Sequence, residues 1–174
     1  MNVPNKLTIL RMLLVPVFMV VYMVDAIPYH ALFAAVIFIA ASITDWLDGH
    51  IARKNNIVTN FGKFMDPLAD KLLVTGALLC MSEKDILPFL IVMIIISREF
   101  LVTGLRLVAV TKGIVIAAGK LGKLKTVVQL LAIITAMIAK EQIIIDILMY
   151  LSAFLTALSG VVYIIENRKV LQDV

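Results

Sequence analysis

Six apolar runs constrain this chain more than anything else in it. They lie at 5–25, 29–52, 62–82, 86–110, 121–139 and 143–166, and a run of roughly 20 apolar residues is what one helix needs to cross a bilayer. Short polar or proline-bearing breaks part them: Asp25 to Pro28, Arg53 to Asn60, Ser82 to Asp85, Lys112 to Lys120, and Lys140 to Asp146. The runs cannot all be hidden in a soluble core. Of 174 residues, 62% are hydrophobic and only 16% charged, and a soluble domain of this size has too little interior for that surplus. The sequence predicts an all-α integral membrane protein of six transmembrane helices, forming one domain over 1–174. Lys6 and Arg11, followed by an apolar stretch, could open a secretory signal, but Val24-Asp25-Ala26 is a poor cleavage site and further spans follow at once. The first helix is therefore read as retained. Cys80 is the single cysteine, so no internal disulfide is expected.

Six spans place both termini on one side. If that side is the cytoplasm, the inner ends and loops hold Lys6, Arg11, Arg53, Lys54, Lys63, Lys71, Arg98, Arg106, Lys112, Lys120, Lys123, Lys125, Arg168 and Lys169, which is 14 of the 16 basic residues. Only Lys84 and Lys140 fall outside. The positive-inside rule then sets both termini in the cytoplasm. The charges serve the membrane boundary, and no nucleic-acid partner is expected. On the last run, Ser152, Thr156 and Gly160 form a stripe of small residues at four-residue spacing, a pattern of helix packing in lipid.

Four aspartates, Asp45, Asp48, Asp66 and Asp70, sit where the second and third spans near the cytoplasm. One Asp at a helix centre costs about 3 kcal/mol on insertion scales, so four uncompensated ones approach roughly 10 kcal/mol. A positive charge must sit among them. Asp45, Asp48, Gly49 and Ala52 follow i, i+3, i+4 and i+7; Gly62, Asp66, Ala69 and Asp70 follow i, i+4, i+7 and i+8. Each set is one stripe of a helix, and two facing helices would offer two carboxylates apiece. Oxygen-only ligands suit Mg²⁺ or Mn²⁺ better than zinc. His30 and His50 show no ligand spacing. Small residues beside the carboxylates let a flat or phosphorylated ligand approach the backbone closely, or simply let two helices pack.

The segment Asp45-Trp46-Leu47-Asp48-Gly49-His50-Ile51-Ala52-Arg53, followed by Gly62-Lys63-Phe64-Met65-Asp66-Pro67-Leu68-Ala69-Asp70, resembles the signature of the CDP-alcohol phosphatidyltransferases. That signature reads D-x-x-D-G-x-x-A-R, a short gap, then G-x-x-x-D-x-x-x-D, and all eight of its fixed positions are filled. The resemblance implies a reaction in which an alcohol displaces CMP from a CDP-linked lipid. It implies that Asp45, Asp48 and Asp66 ligate metal, two ions of Mg²⁺ or Mn²⁺, with Asp70 as shared ligand or general base. Gly49, Ala52 and Gly62 would line the nucleotide pocket, and Arg53 would touch a phosphate or hold the loop. Pro67, between two ligands, should kink or start its helix. A homodimer in a bacterial cell membrane, its active site facing the cytoplasm, belongs to the same expectation.

Arg98 falls about twelve residues into a helix expected from Ile86, hence roughly 18 Å along it, where an arginine is costly and usually functional. Glu99 points about 100° away on that helix and is read as a poor partner for it. Arg106, two turns on, fits snorkelling or substrate contact equally. Gly119 to Thr126 opens the fifth span with Lys120, Lys123 and Lys125. These serve the positive-inside rule, or, with the glycines and the helix end, a phosphate seat. Asn5 to Arg11, Met65 to Lys71, Ser97 to Phe100 with Gly104 to Arg106, and Gly119 to Thr126 resemble the branch of the family that joins CDP-diacylglycerol to sn-glycerol 3-phosphate. This implies Asn5 and Thr8 at the CDP-lipid, and Arg98, Arg106, Lys120, Lys123 and Lys125 at the acceptor phosphate. The alternatives are another acceptor (inositol phosphate, serine or a phospholipid) or a cation transporter. Against the transporter, the carboxylates lie near one surface and no inverted repeat is visible.

Overall fold

The computed structural model describes residues 3–54, 60–111, 113, 114, 116, 119–139 and 141–168; for residues 3, 4, 45–54, 60–64 and 111 it describes the backbone alone. Six helices follow in chain order: α1 Val3–Met23, α2 His30–Lys54, α3 Asn60–Glu83, α4 Phe89–Thr111, α5 Lys120–Ile138 and α6 Gln142–Glu166. Among the described residues there is no strand. Asn5–Met23, Lys120–Ile138 and Gln142–Glu166 are long and apolar enough to cross a membrane. The helix α4 has 23 residues but carries Arg98, Glu99 and Arg106 within them. It starts at Phe89, three residues later than expected, because Asp85 takes a left-handed backbone at φ 55°. Pro88 immediately precedes the helix, its carbonyl accepting the Ile91 N–H at 3.0 Å and the Val92 N–H at 3.4 Å, at a place where a missing N–H costs little. Pro67 does not start α3, which begins at Asn60, and lies inside the helix.

The helices fall into two compact units, Met1–Lys84 with Ala136–Ile138, and Asp85–Thr135 with Ala139–Val174. In the first, α1 packs on both α2 and α3. Its buried face runs Thr8, Arg11, Val15, Phe18 and Tyr22, a seam at alternating three- and four-residue steps. Phe18 stacks on Tyr22 with centroids 6.0 Å apart and tilts against Phe38 of α2 at 5.8 Å. A Cβ at Gly76 of α3 would stand 3.3 Å from the Met19 sulfur and 3.4 Å from Val15 Cγ1. The missing side chain lets α3 approach α1. Between α1 and α2, the exposed Asp25 accepts a hydrogen bond from Lys84 Nζ at the end of α3. That bond, and then the lysine's charge, hold the Asp25 carboxyl below its ordinary value.

In the second unit α4 packs against α6. The buried face of α6 includes Ile145, Met149, Ser152, Thr156, Gly160 and Tyr163, so the small-residue stripe lies inside a helix contact. The α4 helix ends where Gly113 takes φ +72° and Ile114 N–H bonds back to Ala109 O at 2.9 Å. This is the six-to-one closure that glycine permits at a helix C-terminus. The next helix, α5, opens on Gly119, which provides no side-chain cap.

Candidate active site

Asp45, Asp48, Gly49, Ala52 and Arg53 lie on the last turns of α2, and Gly62 on the first turn of α3; their side chains lie outside the described residues. Asp66 and Asp70 are described, one turn apart on α3 and each half-buried. The Thr8 hydroxyl of α1 donates to Asp66 Oδ1 at 2.6 Å, a short, charge-assisted bond. Asn5, one turn before Thr8, is also buried. In the sequence Arg11 counts among the inner-end charges and in the Asn5 to Arg11 segment, with no role of its own. It is wholly buried, with Nε donating to Ala41 O of α2 at 3.3 Å. Its signal was its place on the α1 seam, one turn after Leu7 and Thr8.

In the second unit a cavity of about 260 Å³ is lined by Arg98 and Arg106 of α4, Gly119 to Gly122, and Ser159, Val162, Tyr163 and Glu166 of α6. Three cations, Arg98, Arg106 and Lys120, face one carboxylate, Glu166. The uncapped start of α5 forms one wall, and free N–H groups at a helix start favour an anion. Arg106 is held by Tyr163. Its Nε donates to the phenol oxygen at 3.1 Å, and its guanidinium carbon lies 5.4 Å from the ring centroid.

Three of the five basic residues expected at a phosphate thus line one cavity. Lys123 is exposed and is not in its lining. Lys125 is buried, with Nζ bonded to Glu99 Oε1 and to Gln129 Oε1, the latter at 2.7 Å. Glu99 is also where the sequence reading is corrected. Arg98 Nη1 donates to Glu99 Oε1 at 3.0 Å, although the two Cα–Cβ bonds diverge. The flexible stems of both side chains span the angle, and Lys125 draws the carboxylate to the same place. From the observed start of α4, Arg98 lies roughly 14 Å along the helix, not 18 Å.

The chain belongs to the CDP-alcohol phosphatidyltransferase family, whose model matches residues 1–158. It is 43% identical, over 98% of its length and 97% of the relative's, to the CDP-diacylglycerol--glycerol-3-phosphate 3-phosphatidyltransferase of Bacillus subtilis (strain 168). A protein of the same name from Rickettsia typhi is 37% identical over 93% of this chain and 94% of the relative. Another, from Wigglesworthia glossinidia brevipalpis, is 36% identical over 94% and 93%. With its long apolar helices, the protein is a multi-pass bacterial membrane protein and a phosphatidyltransferase. The donors at the signature positions are carboxylates throughout, and Asp66 is already oriented by Thr8. That donor set fits a hard divalent cation.

Proposed function

We propose that the protein transfers a phosphatidyl group from CDP-diacylglycerol to sn-glycerol 3-phosphate, giving phosphatidylglycerophosphate and CMP. The observation that carries the acceptor is the cavity of Arg98, Arg106 and Lys120 beside the start of α5, whose charge and size suit a phosphate on a small polyol. The names of the relatives point to the same pair of substrates.

Asp45, Asp48, Asp66 and Asp70 are the residues that would hold Mg²⁺ or Mn²⁺. The chemistry such ions would supply there is neutralisation of the diphosphate and stabilisation of the departing CMP. Thr8 keeps Asp66 in one orientation. Asp70 takes the proton from the attacking hydroxyl oxygen of the acceptor as the new P–O bond forms and the bond to CMP breaks. Arg98 and Arg106 hold the acceptor phosphate by charge-assisted bonds. Gly49, Ala52 and Gly62, with Asn5 and Arg53, belong to the CDP-lipid side of the reading. The charge count supports cytoplasmic termini and a cytoplasm-facing site, and a homodimer belongs to the same proposal.

Purified protein with CDP-diacylglycerol, Mg²⁺ or Mn²⁺ and a panel of acceptors tests this by CMP release. sn-Glycerol 3-phosphate should be preferred by orders of magnitude. If glycerol or serine served equally well, the cavity would not be a phosphate seat, and only the general family reaction would remain.

A further inference from the structure

Arg98 meets three helices at once. Its Nη1 is held by Glu99 on its own helix, its Nη2 lies 3.7 Å from where a Cβ on Gly122 of α5 would be, and its Cγ lies 2.9 Å from where a Cβ on Gly160 of α6 would be. A contact of 2.9 Å to Cβ is too close for any real side chain. The atom concerned is near the root of the arginine, one bond from its own Cβ. Only rotation about Cα–Cβ moves it, and that jump between staggered positions carries the whole guanidinium away from Glu99 and from the cavity wall.

We propose that Gly160 and Glu99 are positioning residues for the acceptor phosphate: Gly160 leaves room for the stem of Arg98, and Glu99 holds its Nη1, so that the guanidinium stays at the cavity. The inference rests on the cavity being the acceptor's phosphate seat. Neither residue touches the acceptor. Both act through Arg98, and Glu99 is itself fixed by Lys125 from α5. Lys125 thus supports the arginine's partner.

The test compares Gly160→Ala, Glu99→Gln and Arg98→Ala, singly and in pairs, by CMP release with each substrate varied. Arg98→Ala should raise the acceptor KM about tenfold or more, as loss of a charge-assisted contact does. Gly160→Ala and Glu99→Gln should each raise it by about threefold or more, leaving the CDP-diacylglycerol KM within about twofold. In the Arg98→Ala background, either should add almost nothing, because residues acting through one group are not additive. Glu99→Gln adds no atom to the α4–α6 contact, so it remains informative if Gly160→Ala folds poorly. Equal effects on both substrates, or full additivity with Arg98→Ala, would overturn the inference. An unchanged acceptor KM in Arg98→Ala itself would instead remove the phosphate seat on which the inference stands.

Discussion

Thr8 on α1 donates its hydroxyl to one carboxylate oxygen of Asp66 on α3 at 2.6 Å. The bond ties the amino-terminal helix to a proposed metal ligand and fixes which way that carboxylate faces. Partners of ligating groups typically matter tenfold or more to metal affinity or activity. Thr8→Val keeps the shape and removes the donor, so CMP release should fall about tenfold, with more metal needed for half-maximal rate. Thr8→Ser should retain most activity. Equal rates for Val and Thr would show that the bond does not orient the site.

The clustered carboxylates make the metal the most exposed part of the proposal. Asp45→Asn, Asp48→Asn and Asp66→Asn should each abolish CMP release, and a chelator should do the same to the parent. Each variant removes charge that has no reason to be grouped without a cation. Full turnover in excess chelator would remove the mechanism.

Asp70 carries a different expectation. Asp70→Asn should lose turnover while keeping most CDP-diacylglycerol binding, since three carboxylates remain. Binding to vesicles or nanodiscs containing the CDP-lipid separates the two effects. Loss of both would make Asp70 chiefly a ligand, and near-parental turnover would show that no side-chain base is needed.

Arg106 depends on Tyr163 for its direction in the cavity. Tyr163→Phe retains the ring face and removes the accepting oxygen, a loss of about 1.5–3 kcal/mol for a hydrogen bond to a charged group. The acceptor KM should rise about tenfold, while the CDP-lipid KM should hold. A rise in both would place Tyr163 in general packing.

The turn between α1 and α2 gives a pH prediction. Lys84 lowers the pKa of Asp25 below the ordinary 3.8, so the folded state binds that proton more weakly than the unfolded chain. The stabilisation is complete above 3.8 and fades as pH falls through the lower folded value. Asp25 is exposed, so the effect is small and salt-sensitive. Thermal unfolding in detergent should show Asp25→Asn less stable than the parent at pH 6 and level with it near pH 2. A difference that persists at pH 2 would trace to something other than the ion pair.

Helix positions were legible in the sequence because lipid forces every span to be a helix of similar length, leaving little freedom at the borders. The start of α4 was misplaced because Ile86, Leu87 and Pro88 are as apolar as the helix they precede; the left-handed Asp85 that delays it is a backbone fact. The aspartate pattern was legible because each pair shares one stripe of its helix, Asp66 and Asp70 alone having described side chains. Glu99 was not. Its role arises from Lys125 in a different helix and from two flexible stems, neither of which a helical angle between neighbours can express. Gly160 was visible as a packing residue, but that the packed object is the stem of Arg98 appears only when α4 and α6 are brought together.

The cavity takes its walls from α4, α5 and α6, and the last of these arrives at Ser159 to Glu166. Ribosomes add residues from the amino end, so the carboxylate-bearing helices are made first, and about 5–20 s pass between Asp66 and Glu166 at roughly 5–20 residues per second. Throughout that interval a nascent chain has its aspartates but no complete seat for an anion. If the cavity is the proposed seat, a polypeptide stalled or cut before α6 would be silent toward its acceptor, and competence would come in one step with the final insertion.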